Sequence, residues 1–231
     1  GLPTETVYGL AGNAYSLSAV KKIYKYKRRP KINPLIVHYY NLKQANKDVV
    51  LNKDFYKIYK NFSPGPITYI LKKKKNSNIT PLACANLKTV GVRFPRNQVI
   101  RKILNKLDFP LAMPSANQSS GLSPVNPYDV SEEFNNKIKV IDGGSSKFGI
   151  ESTVINLSGK ISILRPGVIS PEKLSKILKR KILVTTKQKK IRSPGVLKKH
   201  YSPNIPMKLN QLSAPRNYAF ITFGSKYPVT K

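Results

Sequence analysis

The chain has 231 residues, 40% of them hydrophobic, which suits one substantial core and excludes a disordered basic tail. Its 42 Lys and Arg face only 10 Asp and Glu, for a net charge of +32, so carboxylates are scarce and none follows Glu172. A single cysteine, Cys84, excludes a disulfide framework within the chain, and with only His38 and His200 a zinc site of nitrogen and sulfur ligands is excluded too. No apolar run approaches the roughly 20 residues of a membrane-spanning helix and no signal peptide is visible, so a reducing, cytoplasmic setting is expected.

In chain order, residues 3–10 (P-T-E-T-V-Y-G-L) set two hydroxyls and one of the few carboxylates around a turn. Ser16 and Ser18 offer helix-capping hydroxyls. Val20, Ile23, Tyr24 and Lys27 follow at helical spacing, which predicts a helix that stops near Pro30. Residues 35–39 read as a buried strand. Phe55, Ile58, Tyr59 and Phe62 mark a second helix, closed by the breaker cluster Ser63-Pro64-Gly65-Pro66. A strand at 67–71 leads into a polar, basic loop at 72–80. Further strands are predicted at 89–94, 111–113, 138–141, 152–157 and 161–164, and helices at 99–107 and 171–178. Interleaved strands and helices, with neighbouring strands that suggest hairpins, predict a twisted mixed α/β sheet. Around Lys187 the texture turns basic and proline-punctuated, which reads as a linker over 187–206 after a domain at 1–186. An apolar strand at 218–223 would open a second unit, 207–231.

Lys27 and Arg29 stand just past the first helix, where the helix dipole repels an anion, so any attraction must come from the side chains. Arginine forks onto two phosphate oxygens and lysine supplies a mobile point charge, while Pro30, Asn33 and Pro34 stiffen the stretch into a turn. Taken alone, these cations also read as a solvated helix end. No G-x-x-x-x-G-K-[ST] loop occurs, which excludes a P-loop. Residues 114–124 (P-S-A-N-Q-S-S-G-L-S-P) crowd hydroxyls and amides after a strand, and residues 142–153 join glycines to hydroxyls ahead of another. Both stretches suit phosphate or ribose oxygens, and both equally suit ordinary turns. Ser18-Ala19-Val20-Lys21 matches S-x-x-K without a companion hydrolase motif. His38 ends an apolar strand, a place for a structural imidazole or for a neutral donor to a small ligand. The charge suggests nucleic acid, yet the cations are scattered through every segment.

Taken together and in order, P-T-E-T-V-Y-G-L, K-x-R-P-x-x-N-P-L-I-V-H, P-G-P-x-T, T-V-x-V-R-x-P, P-S-A-N, G-I-E-S-T-V and L-R-P-G resemble the YrdC-like family of threonylcarbamoyl-AMP synthases, from Pro3 to about Pro203. Residues 193–203, S-P-G-x-x-x-x-H-Y-S-P, resemble the linker of the family's long form, which implies that 207–231 are the truncated start of a C-terminal domain. It also implies a strand ahead of P-T-E-T that this sequence lacks. Ser63, Asn97, Ser120 and Val125 depart from the family's usual Trp, His, Gly and Thr.

The resemblance implies an α/β fold, a YrdC-like twisted mixed sheet with flanking helices around a basic concave site. It implies a nucleotidyltransferase that forms threonylcarbamoyl-adenylate and pyrophosphate from L-threonine, bicarbonate or CO2, and ATP. Other proteins would then transfer the threonylcarbamoyl group to an adenosine of certain tRNAs. An amine that captures CO2, and a carbamate oxygen that attacks the α-phosphate, need positioning and charge stabilisation, not an enzyme nucleophile. By motif, Lys27 and Arg29 would hold the triphosphate and carry the catalysis. Asn33, Thr89, Ser115, Asn117, Ser123 and Arg165 would complete the ATP site, with Tyr201 closing over it. Thr6, His38, Arg93, Ser152 and the backbone of Met113 would bind threonine. Mg2+ would arrive with ATP, held through phosphate and water, with Glu5 and Glu151 the carboxylates to watch. Two other readings are a carbamoyl-transfer domain of the hydrogenase-maturation type and an RNA-binding module, the latter with weak RNA affinity from charge alone.

Overall fold

The computed structural model describes residues 1–185 and 205–222. Its strands are β1 (Gly12–Asn13), β2 (Ile36–His38), β3 (Ile67–Lys72), β4 (Thr89–Arg93), β5 (Leu111–Ala112), β6 (Thr153–Asn156) and β7 (Ser162–Arg165). They form one mixed sheet in the order β1-β5-β2-β4-β3-β6-β7. The pairs β2–β4 and β3–β6 are parallel and the others antiparallel. The helices are α1 (Leu17–Tyr26), α2 (Leu42–Asp48), α3 (Lys53–Phe62), α4 (Gln98–Lys106), α5 (Pro127–Glu133) and α6 (Pro171–Leu178). Among the described residues no helix is long and apolar enough to cross a membrane.

The sheet has two unlike faces. Val37, Val92, Tyr69 and Ile155 are partners across β2, β4, β3 and β6, and all four lie in the main core. Val20 and Ile23 of α1, Phe55 and Ile58 of α3, and Leu174 and Leu178 of α6 pack into that same core. Successive residues of a strand point to opposite faces, so the next cross-strand row lies on the other side. That row runs His38, Arg93, Thr68, Val154, Arg165, again by direct pairing. A slip of one residue in any strand would exchange the two rows, so burial of the apolar row fixes the polar one.

Helix α1 ends in a turn that aims its last cations. The Arg29 N–H bonds to Tyr24 O at 3.0 Å and the Arg28 N–H to Lys25 O at 3.1 Å, with Arg28 at φ 48°. This is a Schellman closure, with an arginine in the left-handed position that usually takes glycine. Lys27 turns inward and is 1% exposed, while Arg28 stays on the surface.

Two predicted strands are absent. Residues 138–141 run as irregular chain, with Ile138 and Val140 packed against the core. Among the described residues their polar backbone meets only Gly1, through Gly1 N to Lys139 O at 2.6 Å and Ile141 N to Gly1 O at 2.9 Å, too little for a ladder. Residues 218–222 form no strand either; Tyr218 and Ile221 are exposed, and no sheet edge receives them. Phe223 and most of the predicted linker lie outside the described residues.

Candidate active site

A cleft on the polar face of the sheet gathers ten of the fourteen residues singled out from the sequence: Lys27, Arg29, Asn33, His38, Arg93, Met113, Ser115, Asn117, Ser152 and Arg165. Of the other four, Tyr201 lies outside the described residues. Thr89 starts β4 opposite Lys72, four residues from Arg93, which puts it about 13 Å along the strand and outside the cleft lining. Ser123 stands behind the wall, its hydroxyl given to Glu151 Oε1 at 2.6 Å. Thr6 is fully buried and touches the lining through Thr4, with the two hydroxyl oxygens 2.9 Å apart.

One end of the cleft is a cationic loop clamp. Lys27 Nζ donates to Ser115 O at 2.6 Å and to Asn117 O, and Lys27 O accepts from the Ser119 N–H at 2.9 Å. Lysine backbone and ammonium thus both hold the P-S-A-N loop. Asn117 Nδ2 spends its donors on Gln118 O and Gly121 O, so that side chain shapes the loop itself. Ser120 sits at φ 80°, the left-handed region, which accounts for the glycine the family usually has there. Arg29 donates through Nε to Asn33 O at 2.9 Å and through Nη2 to Asn33 Oδ1 at 2.6 Å and Pro34 O at 2.9 Å. The K-x-R-P-x-x-N-P spacing therefore builds a turn in which Asn33 orients the guanidinium.

The other end rests on the sheet row. Arg165 donates to Ser152 O and Oγ at 2.9 and 3.2 Å, and Ser152 Oγ lies 2.7 Å from Thr68 Oγ1. Arg93 gives Nη2 to Glu5 Oε1 at 2.7 Å, and Glu5 Oε2 accepts from Arg96 N at 2.9 Å. The Arg93 guanidinium, assigned by motif to threonine, thus already holds one carboxylate of the protein. Among the described residues its Nε has no hydrogen-bond partner.

Charge in this cleft is set by burial and crowding. Burial, then the neighbouring Arg29, pulls Lys27 well below the usual lysine range. Burial is also the first cause that brings Arg29 and Arg165 down to about 10, which leaves both cationic at neutral pH. His38 is held well below the imidazole range by burial and then by Arg93, so it is neutral. Its Nδ1 lies 3.3 Å from Ile36 O, and among the described residues its Nε2 has no hydrogen-bond partner. Burial alone would raise Glu5, but the Arg93 charge and the hydrogen bonds outweigh it and leave its carboxyl below the usual range.

Sequence reasoning missed Thr4, Tyr8 and Ser119 as lining residues of this cleft, and pointed to Glu151 only as a carboxylate to watch for Mg2+. Thr4 had a local signal, since its Oγ accepts from the N–H groups of Thr6 and Val7 in a hydroxyl turn, the usual use of Thr two to three residues before a bend. Tyr8 donates to Gly144 O at 2.8 Å, which ties the first motif to the glycine-rich one and leaves no trace in either motif alone.

Comparison with known proteins accounts for this arrangement. The family model Sua5_yciO_yrdC, described as telomere recombination, matches residues 1–167. The model Sua5_C, described as the C-terminal domain of threonylcarbamoyl-AMP synthase, matches residues 169–226. Threonylcarbamoyl-AMP synthase of Pyrococcus abyssi is 38% identical over 213 residues, covering 87% of this chain and 61% of that protein. The Bacillus subtilis protein of the same name is 37% identical over 221 residues, covering 93% and 63%. The crystal structure of P. abyssi Sua5 complexed with L-threonine superposes with a TM-score of 0.82 at 35% identity, covering 87% of this chain and 61% of that one. The chain thus spans about three fifths of the length of these relatives. With both models matched in order, and the matching motifs folded around one cleft, the chain belongs to the Sua5/YciO/YrdC family.

Proposed function

We propose that this chain is the catalytic part of a threonylcarbamoyl-AMP synthase, which joins L-threonine, bicarbonate or CO2, and ATP into threonylcarbamoyl-adenylate and pyrophosphate. The observation that carries the reading is one cleft with two dissimilar ends: Lys27 and Arg29 beside a hydroxyl-rich loop, and His38, Arg93, Ser152 and Arg165 in and beside one sheet row. The first suits a triphosphate. The second suits a small zwitterion with a hydroxyl. The co-crystal structure of the P. abyssi relative with L-threonine supports that assignment.

In this reading ATP lies along the Lys27–Arg29 turn and the 115–120 loop, and its α-phosphate faces the sheet row. Threonine lies across that row, with Arg93 Nε available to its carboxylate and neutral His38 to its hydroxyl. Cations fixed before the substrates arrive stabilise charge that builds as a carbamate oxygen attacks phosphorus and pyrophosphate leaves. Mg2+ comes with ATP through phosphate and water; Glu5 has both oxygens committed, and among the described residues no cluster of three His, Cys, Asp or Glu gathers to hold a metal. A cytoplasmic setting, downstream tRNA-modifying proteins and a domain division near 186 complete the proposal. Support for the division comes from Ile182, still in the main core, and from 205–222, whose apolar side chains are mostly exposed.

The test is detection of threonylcarbamoyl-adenylate by mass spectrometry after incubation with the three substrates, for the natural residue and for Arg29→Ala. Losing a charge-assisted contact of about 1.5–3 kcal/mol cuts turnover roughly tenfold or more. Unchanged turnover in Arg29→Ala removes that residue from the proposed site.

A further inference from the structure

Four buried polar side-chain atoms lack a hydrogen-bond partner among the described residues: His38 Nε2, Arg93 Nε, Ser119 Oγ and Glu151 Oε2. All four residues line the cleft, and Glu151 is the one carboxylate among them. Its side chain is held, not loose. Oε1 accepts from Ser123 Oγ at 2.6 Å, and the residue is 6% exposed. The backbone beneath it is clamped as well: a Cβ on Gly167 would come within 2.6 Å of Glu151 O and 2.5 Å of Thr153 N. Only glycine lets the turn after β7 approach that closely.

A buried carboxylate oxygen with nothing donating to it is costly unless a ligand brings the donor. Glu151 lies in the electrostatic field of both Lys27, at the triphosphate end, and Arg165, at the sheet-row end. It lines the cleft directly before Ser152, which Arg165 holds at the end proposed for threonine, where nitrogen must meet CO2. A protonated amine cannot do that, since its electron pair is tied up in an N–H bond.

We propose that Glu151 is the proton acceptor for the substrate's amino group. The inference rests on the synthase reading and adds a catalytic residue to it. The ammonium N–H breaks, its proton passes to Oε2 directly or through one water, and the electron pair stays on nitrogen. That pair forms the N–C bond to CO2 while a C=O pair moves onto oxygen. The N-carboxylated amine loses a second proton to water to give the carbamate, and the glutamic acid returns its own to solvent. A dry site favours the first transfer, because it turns an ion pair into two neutral groups. His38 Nε2 is the other bare acceptor, but burial and Arg93 hold its affinity for a proton well below that of an ordinary imidazole.

The experiment compares Glu151→Gln with the unsubstituted chain in threonine- and bicarbonate-dependent pyrophosphate release from pH 7 to 9.5. Lys27, Arg29, His38, Arg93 and Arg165 also face the cleft, but they are present in both proteins, so the ratio of the two rates isolates Glu151. At pH 7 the variant is slower by about 100-fold or more. The deficit shrinks at least tenfold, on the order of the gain in free amine, by pH 9.5, while calorimetric affinities for ATP and threonine stay unchanged. Glu151→Asp, which keeps the charge but retracts it, gives the same pH-dependent deficit in smaller measure and replaces the Gln variant if that one does not fold. A deficit of equal size at every pH, a loss of ligand binding, or a raised Mg2+ requirement overturns the assignment, the last by making Glu151 a metal ligand. No release from the unsubstituted chain is a different result, and it refutes the synthase reading together with this inference.

Discussion

Glu5 and Arg93 form a buried ion pair 88 residues apart in sequence, 2.7 Å apart in space, with side chains 7% and 5% exposed. Replacing Glu5 by Gln leaves the guanidinium charge in the interior without its partner, and denaturant unfolding is expected to register a loss of about 3–5 kcal/mol. The pair also predicts a pH dependence. Because the folded carboxyl is held below its ordinary value of 4.5, its contribution is complete above 4.5 and is lost as pH falls through the lower folded value. Thermal melts between pH 6 and 3 should therefore fall more steeply for the natural chain than for Glu5→Gln. Parallel slopes would mean that Glu5 is not ionised in the fold. None of this was legible in the sequence. P-T-E-T offered a carboxylate and T-V-x-V-R-x-P an arginine, but only the fold brings the start of the chain over the end of β4. Asp48 is a second such case: one buried carboxylate accepts from Tyr15, Tyr39 and Ser77 hydroxyls at 2.8, 2.9 and 2.7 Å. Asp48→Ala strands three donors and should cost about 3 kcal/mol in the same assay, while leaving ligand affinities alone.

At the scale of elements, the sequence was most readable where apolar spacing and end signals agreed. Helix α6 is found over Pro171–Leu178 as predicted, and α1 ends ahead of Pro30. Helices α2 and α5 escaped because Leu42–Asp48 and Pro127–Glu133 are short and mostly polar. Their caps were nonetheless written in the chain: Asn41 accepts from the Gln44 N–H, and Asn126, followed by proline, accepts from the Asp129 N–H. Strand 138–141 was over-read, since its alternation reflects contact with the core and not pairing. The end of α1 carries a prediction of its own. Arg28 is exposed and left-handed, so Arg28→Gly relieves strain of about 1 kcal/mol and raises the melting temperature by roughly 2–4 °C. Turnover should not change, because Lys27 and Arg29, not Arg28, face the cleft. A lowered melting temperature would show that this turn is held by the arginine side chain instead.

Over the whole molecule, the decisive fact is the register of the sheet. It commits one row to the core and the next, His38 to Arg165, to the cleft, and it gathers motifs that are spread along most of the chain. The motifs were legible as a set in the sequence, while their common destination was not, because cross-strand pairing is long-range. The +32 charge remains a property of the surface as a whole, and the cleft uses few of the 42 cations. Removing one of them should hardly alter a diffuse attraction to RNA, yet should strongly affect catalysis. The most direct test is pyrophosphate release from ATP with threonine and bicarbonate each supplied or omitted. The synthase account predicts release only when both are present. Release that ignores either one, or none from the folded chain together with steeply salt-dependent RNA binding, would contradict it.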